Sequence, residues 1–125
     1  MTFRRQLAKT ELVALAIFAG VVACLAALSA IRAASSPGDL FSPLGAAVAV
    51  AGFTLAVGFV AVALFGAPIY AWLQFKGKAS WAAAFCLGLA PGIALSFVAL
   101  DLGFLAMGCG LVVGLATHAI CRLGA

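Results

Sequence analysis

At 125 residues, with 67% hydrophobic and only 8% charged side chains, the chain has too few polar groups to cover a water-soluble fold, for which about a quarter charged residues is usual. Its formal charge of +4 comes from basic residues standing singly or in pairs at the edges of apolar runs. That excludes a nucleic-acid face and fits membrane topology and anionic headgroups. The composition predicts an all-α membrane protein with one integral membrane domain over residues 1–125.

In chain order, a flank carrying Arg4, Arg5 and Lys9 precedes an uncharged run over residues 12–31, long enough to cross the hydrocarbon core as a first helix. The run exceeds the apolar region of about 7–15 residues expected of a signal peptide. Thr10 and Glu11 read as its N-terminus, the hydroxyl capping and the acid complementing the helix dipole. Ser35, Ser36, Pro37, Gly38 and Asp39 read as a turn. A second helix is predicted over 44–65, stopped or kinked by Pro68, which has no N–H to donate. The polar segment 66–80 is expected as a cytoplasmic loop, with 69–75 lying along the interface. Tyr70, Trp72 and Trp81 suit that boundary as anchors, and Lys76 and Lys78 mark its side. A third helix over 81–100 is bent at Pro91, and Asp101 alone separates it from a fourth over 102–120.

The expected architecture is therefore a four-transmembrane-helix bundle of two antiparallel hairpins. Placing both termini in the cytoplasm puts Arg4, Arg5, Lys9, Lys76, Lys78 and Arg122 inside and leaves only Arg32 outside, beside Asp39 and Asp101. That is a strong positive-inside bias. A bacterial inner membrane is the expected location.

Each predicted helix carries small residues at spacings of three and four, which allow close backbone packing in lipid. Gly20 lies on the first stripe (with Ala16, Ala23, Ala27 and Ala30), Gly52 on the second, Gly88 and Gly92 on the third, and Gly110 and Gly114 on the fourth. These six glycines are the candidate packing interface. The third and fourth helices, joined by the shortest turn, are expected to pack on each other.

Chemistry-bearing residues are few. His118 is the chief candidate functional polar residue, because ionisable groups within a membrane are costly. Asp101 is the second, read first as a helix cap. His118 and Cys121 share a helix face at i,i+3, and Cys86 on the third helix makes them a conceivable metal set. Packing and hydrogen bonding are the plainer reading of these residues, and no metal or cofactor is expected. The cysteines, Cys24, Cys86, Cys109 and Cys121, read as reduced packing residues. No nucleophile stands beside a base and no carboxylates are paired, so the chain does not read as an enzyme. The expected role is helix–helix interaction in the membrane, with a larger integral membrane partner (as an accessory, assembly, immunity or exclusion protein) or by self-association. The expected partners include membrane lipids but no nucleic acid. The alternative is an oligomeric transporter or channel for ions or small solutes, which would use the irregular backbone around Pro91 and Pro68.

Overall fold

Every element is a helix in the computed structural model, which describes residues 2–36 and 42–123. The first, α1 (Phe3–Ser35), is 33 residues long and extends the predicted 12–31 at both ends. Residues 3–9 contain no glycine or proline and hold several strong helix formers, so nothing breaks the first two turns. Thr10 is accordingly not a cap. It lies inside the helix and is almost wholly buried.

The second helix, α2 (Pro43–Val60), begins where Ser42 accepts a hydrogen bond from the Gly45 N–H at 3.1 Å, with proline in the first turn. It does not end near Phe65, as the position of Pro68 predicts. The chain passes through a π-helical turn, Ala61–Gly66, straight into α3 (Ala67–Phe75). There the Ala67 N–H reaches back five residues to the Val62 carbonyl. Proline cannot donate to the carbonyl four residues back, and its ring would clash with that group. Widening the turn by one residue relieves the clash and keeps the helix whole. Residues 69–75 therefore form a helical continuation docked along α1, and the expected loop over 66–80 shrinks to the few residues after Phe75.

That turn is a Schellman stop. The Gly77 N–H bonds to the Gln74 carbonyl at 3.0 Å and the Lys78 N–H to the Leu73 carbonyl at 2.9 Å, with Gly77 at φ 66°. Ser80 then caps α4 (Trp81–Ser96) by accepting from the Ala83 N–H at 3.2 Å. This helix is 16 residues long, about 24 Å, and stops short of the predicted residue 100. One residue cannot reverse a helix, so Phe97, Val98 and Ala99 make the turn. The Ala99 carbonyl receives the Gly103 N–H to open α5 (Leu100–Leu123). Asp101 thus sits in the first turn of α5 instead of between the helices, where its carboxylate complements the helix dipole. Of the predicted turn, Ser35 ends α1 and Ser36 is its C-cap, while Pro37, Gly38 and Asp39 lie outside the described residues. By length and apolarity, α1, the continuous Pro43–Phe75 helix and α5 can each span a membrane, and α4 is a shorter apolar helix.

Contacts fix the relative directions. Phe3 meets Phe75 edge-on with ring centroids 5.6 Å apart, while Phe18 lies against Gly58, so α1 runs antiparallel to α2 and α3. In the α4–α5 hairpin, Gly103 stands opposite Ser96, Met107 opposite Gly92, Gly110 opposite Gly88 and Gly114 opposite Ala84. A Cβ on Gly88 would lie 2.5 Å from the Gly110 carbonyl oxygen, and one on Gly114 would lie 2.7 Å from the Ala84 oxygen. Only glycine permits backbones this close. Phe18, Val22 and Val113 form the apolar centre, joining α1 to α5, with Ala51 and Val62 packed against them.

Candidate functional site: a buried polar cluster at one end of the bundle

The antiparallel arrangement brings the start of α1, the end of α3, the start of α4 and the end of α5 to one end, where most of the polar side chains meet. Gln6 and Thr10 are four residues apart on α1, as are Tyr70 and Gln74 on α3, so each pair shares a helix face. The two faces meet. The Gln6 amide Nε2 donates to the Gln74 Oε1 at 2.6 Å, and the Thr10 hydroxyl donates to the same oxygen at 3.1 Å. One amide oxygen thereby clamps α3 to α1.

A turn deeper, the Tyr70 hydroxyl hydrogen-bonds to His118 Nδ1, joining α3 to α5. Tyr70, His118, Thr117 and Cys121 are all buried. Trp81 caps this group from the first turn of α4, its ring centroid 4.3 Å from that of His118 and inclined at 61°. His118 Nε2 is buried and has no hydrogen-bond partner among the described residues. The Thr117 hydroxyl donates to the Val113 carbonyl at 2.6 Å. The cluster is therefore a set of hydrogen-bonding groups with one orphaned imidazole nitrogen, fixed by three helices and covered by an indole.

Tyr70 is a correction to the sequence reading: it faces the interior, not the lipid–water boundary, because α3 docks along α1. Trp72 and Trp81 are half exposed, and the Lys76 ammonium lies 4.1 Å above the Trp72 ring, a cation–π contact at the helix end. Lys76 caps α3 and Lys78 closes the Schellman turn. The Gln6–Thr10 and Tyr70–Gln74 spacings were the available signal for this cluster, concealed by reading Thr10 as a cap and 69–75 as interfacial.

The six candidate packing glycines divide into two groups. Gly88, Gly92, Gly110 and Gly114 come together inside the α4–α5 hairpin. Gly20 and Gly52 are exposed, and a Cβ on either meets nothing within 4 Å. The first predicted stripe turns outward with them: Ala16, Ala23 and Ala27 are exposed, whereas Thr10, Ala14, Phe18 and Val22 form the inner face of α1. Phe18 sets that rotation by filling the gap left by Gly58. Asp101 is exposed at the opposite end from His118. Cys121 is buried near His118, but Cys86 is exposed on α4, two residues off the Ala84–Gly88 seam. The described residues include no group of three or more His, Cys, Asp or Glu side chains able to hold a metal ion.

Two hollows, each open on one side, lie between the helices. One of about 60 Å³ is bounded by Thr10, Tyr70 and Thr117 at the polar end and by Leu87, Pro91 and Gly110 at its floor. The second, of about 100 Å³ and apolar, lies among Phe18, Phe53, Val57, Leu102, Leu105 and Cys109. They share Ala61, Val62, Pro91, Gly110 and Val113 as walls. The π turn of one helix and the proline of another thus flank the same space.

No protein-family model matches the chain, and no curated protein or solved structure does either.

Proposed function

We propose that this chain is a small polytopic membrane protein that acts by docking its outer helix faces onto a larger integral membrane protein, as an accessory or assembly subunit or as an immunity- or exclusion-type protein. The observation that carries the reading is the outward placement of Gly20 and Gly52 on helices already long enough to cross a bilayer. Lipid is satisfied by leucine or valine, whereas exposed glycine and alanine become useful where another helix approaches closely. In this reading all four helices cross a bacterial inner membrane, with both termini cytoplasmic. Support for the orientation comes from Arg4, Arg5, Lys9, Lys76, Lys78 and Arg122, which belong to the helix ends gathered around the polar cluster, while Arg32 and Asp101 belong to the opposite end. The polar cluster then ties α1, α3 and α5 together and keeps the docking faces in place.

The test is isolation of the tagged protein from its native membranes in mild detergent, followed by mass spectrometry. A stoichiometric integral membrane partner that is lost in Gly20→Leu or Gly52→Leu, with the bundle still folded, supports the reading. A chain that purifies with nothing but itself, or a partner indifferent to both substitutions, overturns it.

A second reading, an oligomeric transporter or channel for small solutes or ions, is favoured by one observation. The Ala61–Gly66 π turn and Pro91 interrupt two helices around hollows with shared walls, as transport sites often do. Flux assays on reconstituted protein separate the two readings.

A further inference from the structure

We propose that the end of the bundle holding the polar cluster carries a binding site for the headgroup of an anionic phospholipid, built from Arg4 and Lys76 beside the Phe3–Phe75 pair. The inference rests on the membrane placement proposed above and not on the docking of a partner protein.

Charge is the first support. Arg4, Arg5, Lys76, Lys78 and Arg122 are exposed at this end, and Glu11 is the only acid belonging to it among the described residues. Arg122 has a structural reason for its place, because a cation in the last turn of α5 complements the helix dipole. Arg4 and Arg5 have no such reason. Basic charge in the first turn of α1 opposes the dipole, and no acid stands there to offset it. A topological bias can be met by cations scattered over separate loops, but here the fold gathers them. The edge-on contact of Phe3 with Phe75, with centroids 5.6 Å apart, brings together two segments far apart in sequence. Arg4 and Lys76 are the residues that follow the two rings.

The surroundings are the second support. Trp72, Phe75 and Trp81 are about half exposed, as suits rings at the boundary between headgroups and acyl chains. The Lys76 ammonium lies 4.1 Å above the Trp72 ring, so its charge is held against an aromatic face instead of ranging through water. An anionic phospholipid matches both features, its phosphate meeting the cations and its chains the rings. A free phosphate ion would satisfy the cations and leave the aromatic rim unused.

Trp72 and Trp81 are the two tryptophans of the chain, and both lie at this end, so their fluorescence reports on the site. The protein is reconstituted in phosphatidylcholine vesicles, and quenching is followed as brominated phosphatidylglycerol, or brominated phosphatidylcholine, replaces the host lipid. The ratio of the two affinities is taken within each variant, which cancels any change in tryptophan brightness. Circular dichroism establishes that each variant is folded. The expected result is a preference of about threefold or more for phosphatidylglycerol, screened away in about 1 M salt. Arg4→Gln combined with Lys76→Gln should bring the ratio close to parity, and Arg32→Gln, at the opposite end, should leave it unchanged. If the double variant does not fold, Arg4→Gln with Arg5→Gln replaces it. Equal quenching by the two lipids would overturn the site and leave the membrane reading standing, whereas no quenching by either would overturn both. A preference that survives the double variant, or that falls as far in Arg32→Gln, would reflect overall charge and overturn the site. Loss of the preference to inorganic phosphate, at an ionic strength where chloride has no effect, would overturn the lipid as occupant.

Discussion

Between α4 and α5 the backbones touch where Gly88 lies against Gly110, and at Gly92 both the backbone and the side chain of Met107 lie against the glycine. Between α1 and α2 a phenylalanine stands in the gap, with Phe18 filling the hollow at Gly58 while Gly20 and Gly52 point away. The same small-residue spacing thus has opposite meanings in the two halves. In lipid, burying leucine against leucine gains little, because the solvent is equally apolar, so helices associate where contact multiplies dispersion. A stripe of glycines achieves this when another backbone lies against it. A single large ring achieves it when its partner helix offers a notch. Which device operates depends on helix rotation, and a repeat of small residues does not specify rotation.

The comparison can be broken most severely at the seam. Gly110→Leu should destabilise the bundle by about 3 kcal/mol or more, since its side chain would meet the Gly88 carbonyl and backbone cannot move aside as a side chain can. Reversible unfolding in mixed micelles would register the loss. Phe18→Ala should have a smaller effect. It leaves a cavity, but lipid replaces part of the lost apolar environment, so the loss should fall below the about 3–5 kcal/mol of a water-soluble core. Gly58→Ala combined with Phe18→Leu should recover part of it, because the added methyl occupies the vacated notch.

Tyr70→Phe sharpens the comparison at the polar end. It deprives His118 Nδ1 of its bond and should lower stability by about 1–2 kcal/mol. His118 ring resonances should broaden while the α4–α5 seam remains intact. Gly77→Ala is smaller again, about 1 kcal/mol, because a Cβ at φ 66° is strained. Its effect should appear as fraying of α3 in hydrogen exchange, confined to the residues around Gln74.

These differences also explain what could be read from the chain beforehand. The helical character followed from long uncharged runs, and the partnership of α4 with α5 was legible in Gly88, Gly92, Gly110 and Gly114 because a short connection leaves adjacent helices little choice. The path after Phe65 was not legible. Pro68 announces a break, and only the three-dimensional chain reveals that a π turn absorbs it and carries Tyr70 and Gln74 inward. The orientation of α1 was hidden for a related reason: small and large residues there alternate around the whole helix, and it is Phe18 meeting Gly58 across forty residues of sequence that selects the inner face. Thr10 illustrates the consequence, a plausible cap in sequence that becomes a buried donor once α3 lies beside it.

The central claim is that glycines build the α4–α5 seam, whereas Gly20 on α1 and Gly52 on α2 face outward. Its most direct test is to measure unfolding free energies of Gly20→Leu, Gly52→Leu, Gly88→Leu and Gly110→Leu side by side in the same micelles. The first two should lie within about 0.5 kcal/mol of the parent, as substitutions touching nothing do, and the last two should be lower by several-fold more. Equal destabilisation across all four would contradict the account, because Gly20 and Gly52 would then have to be packed inside the bundle.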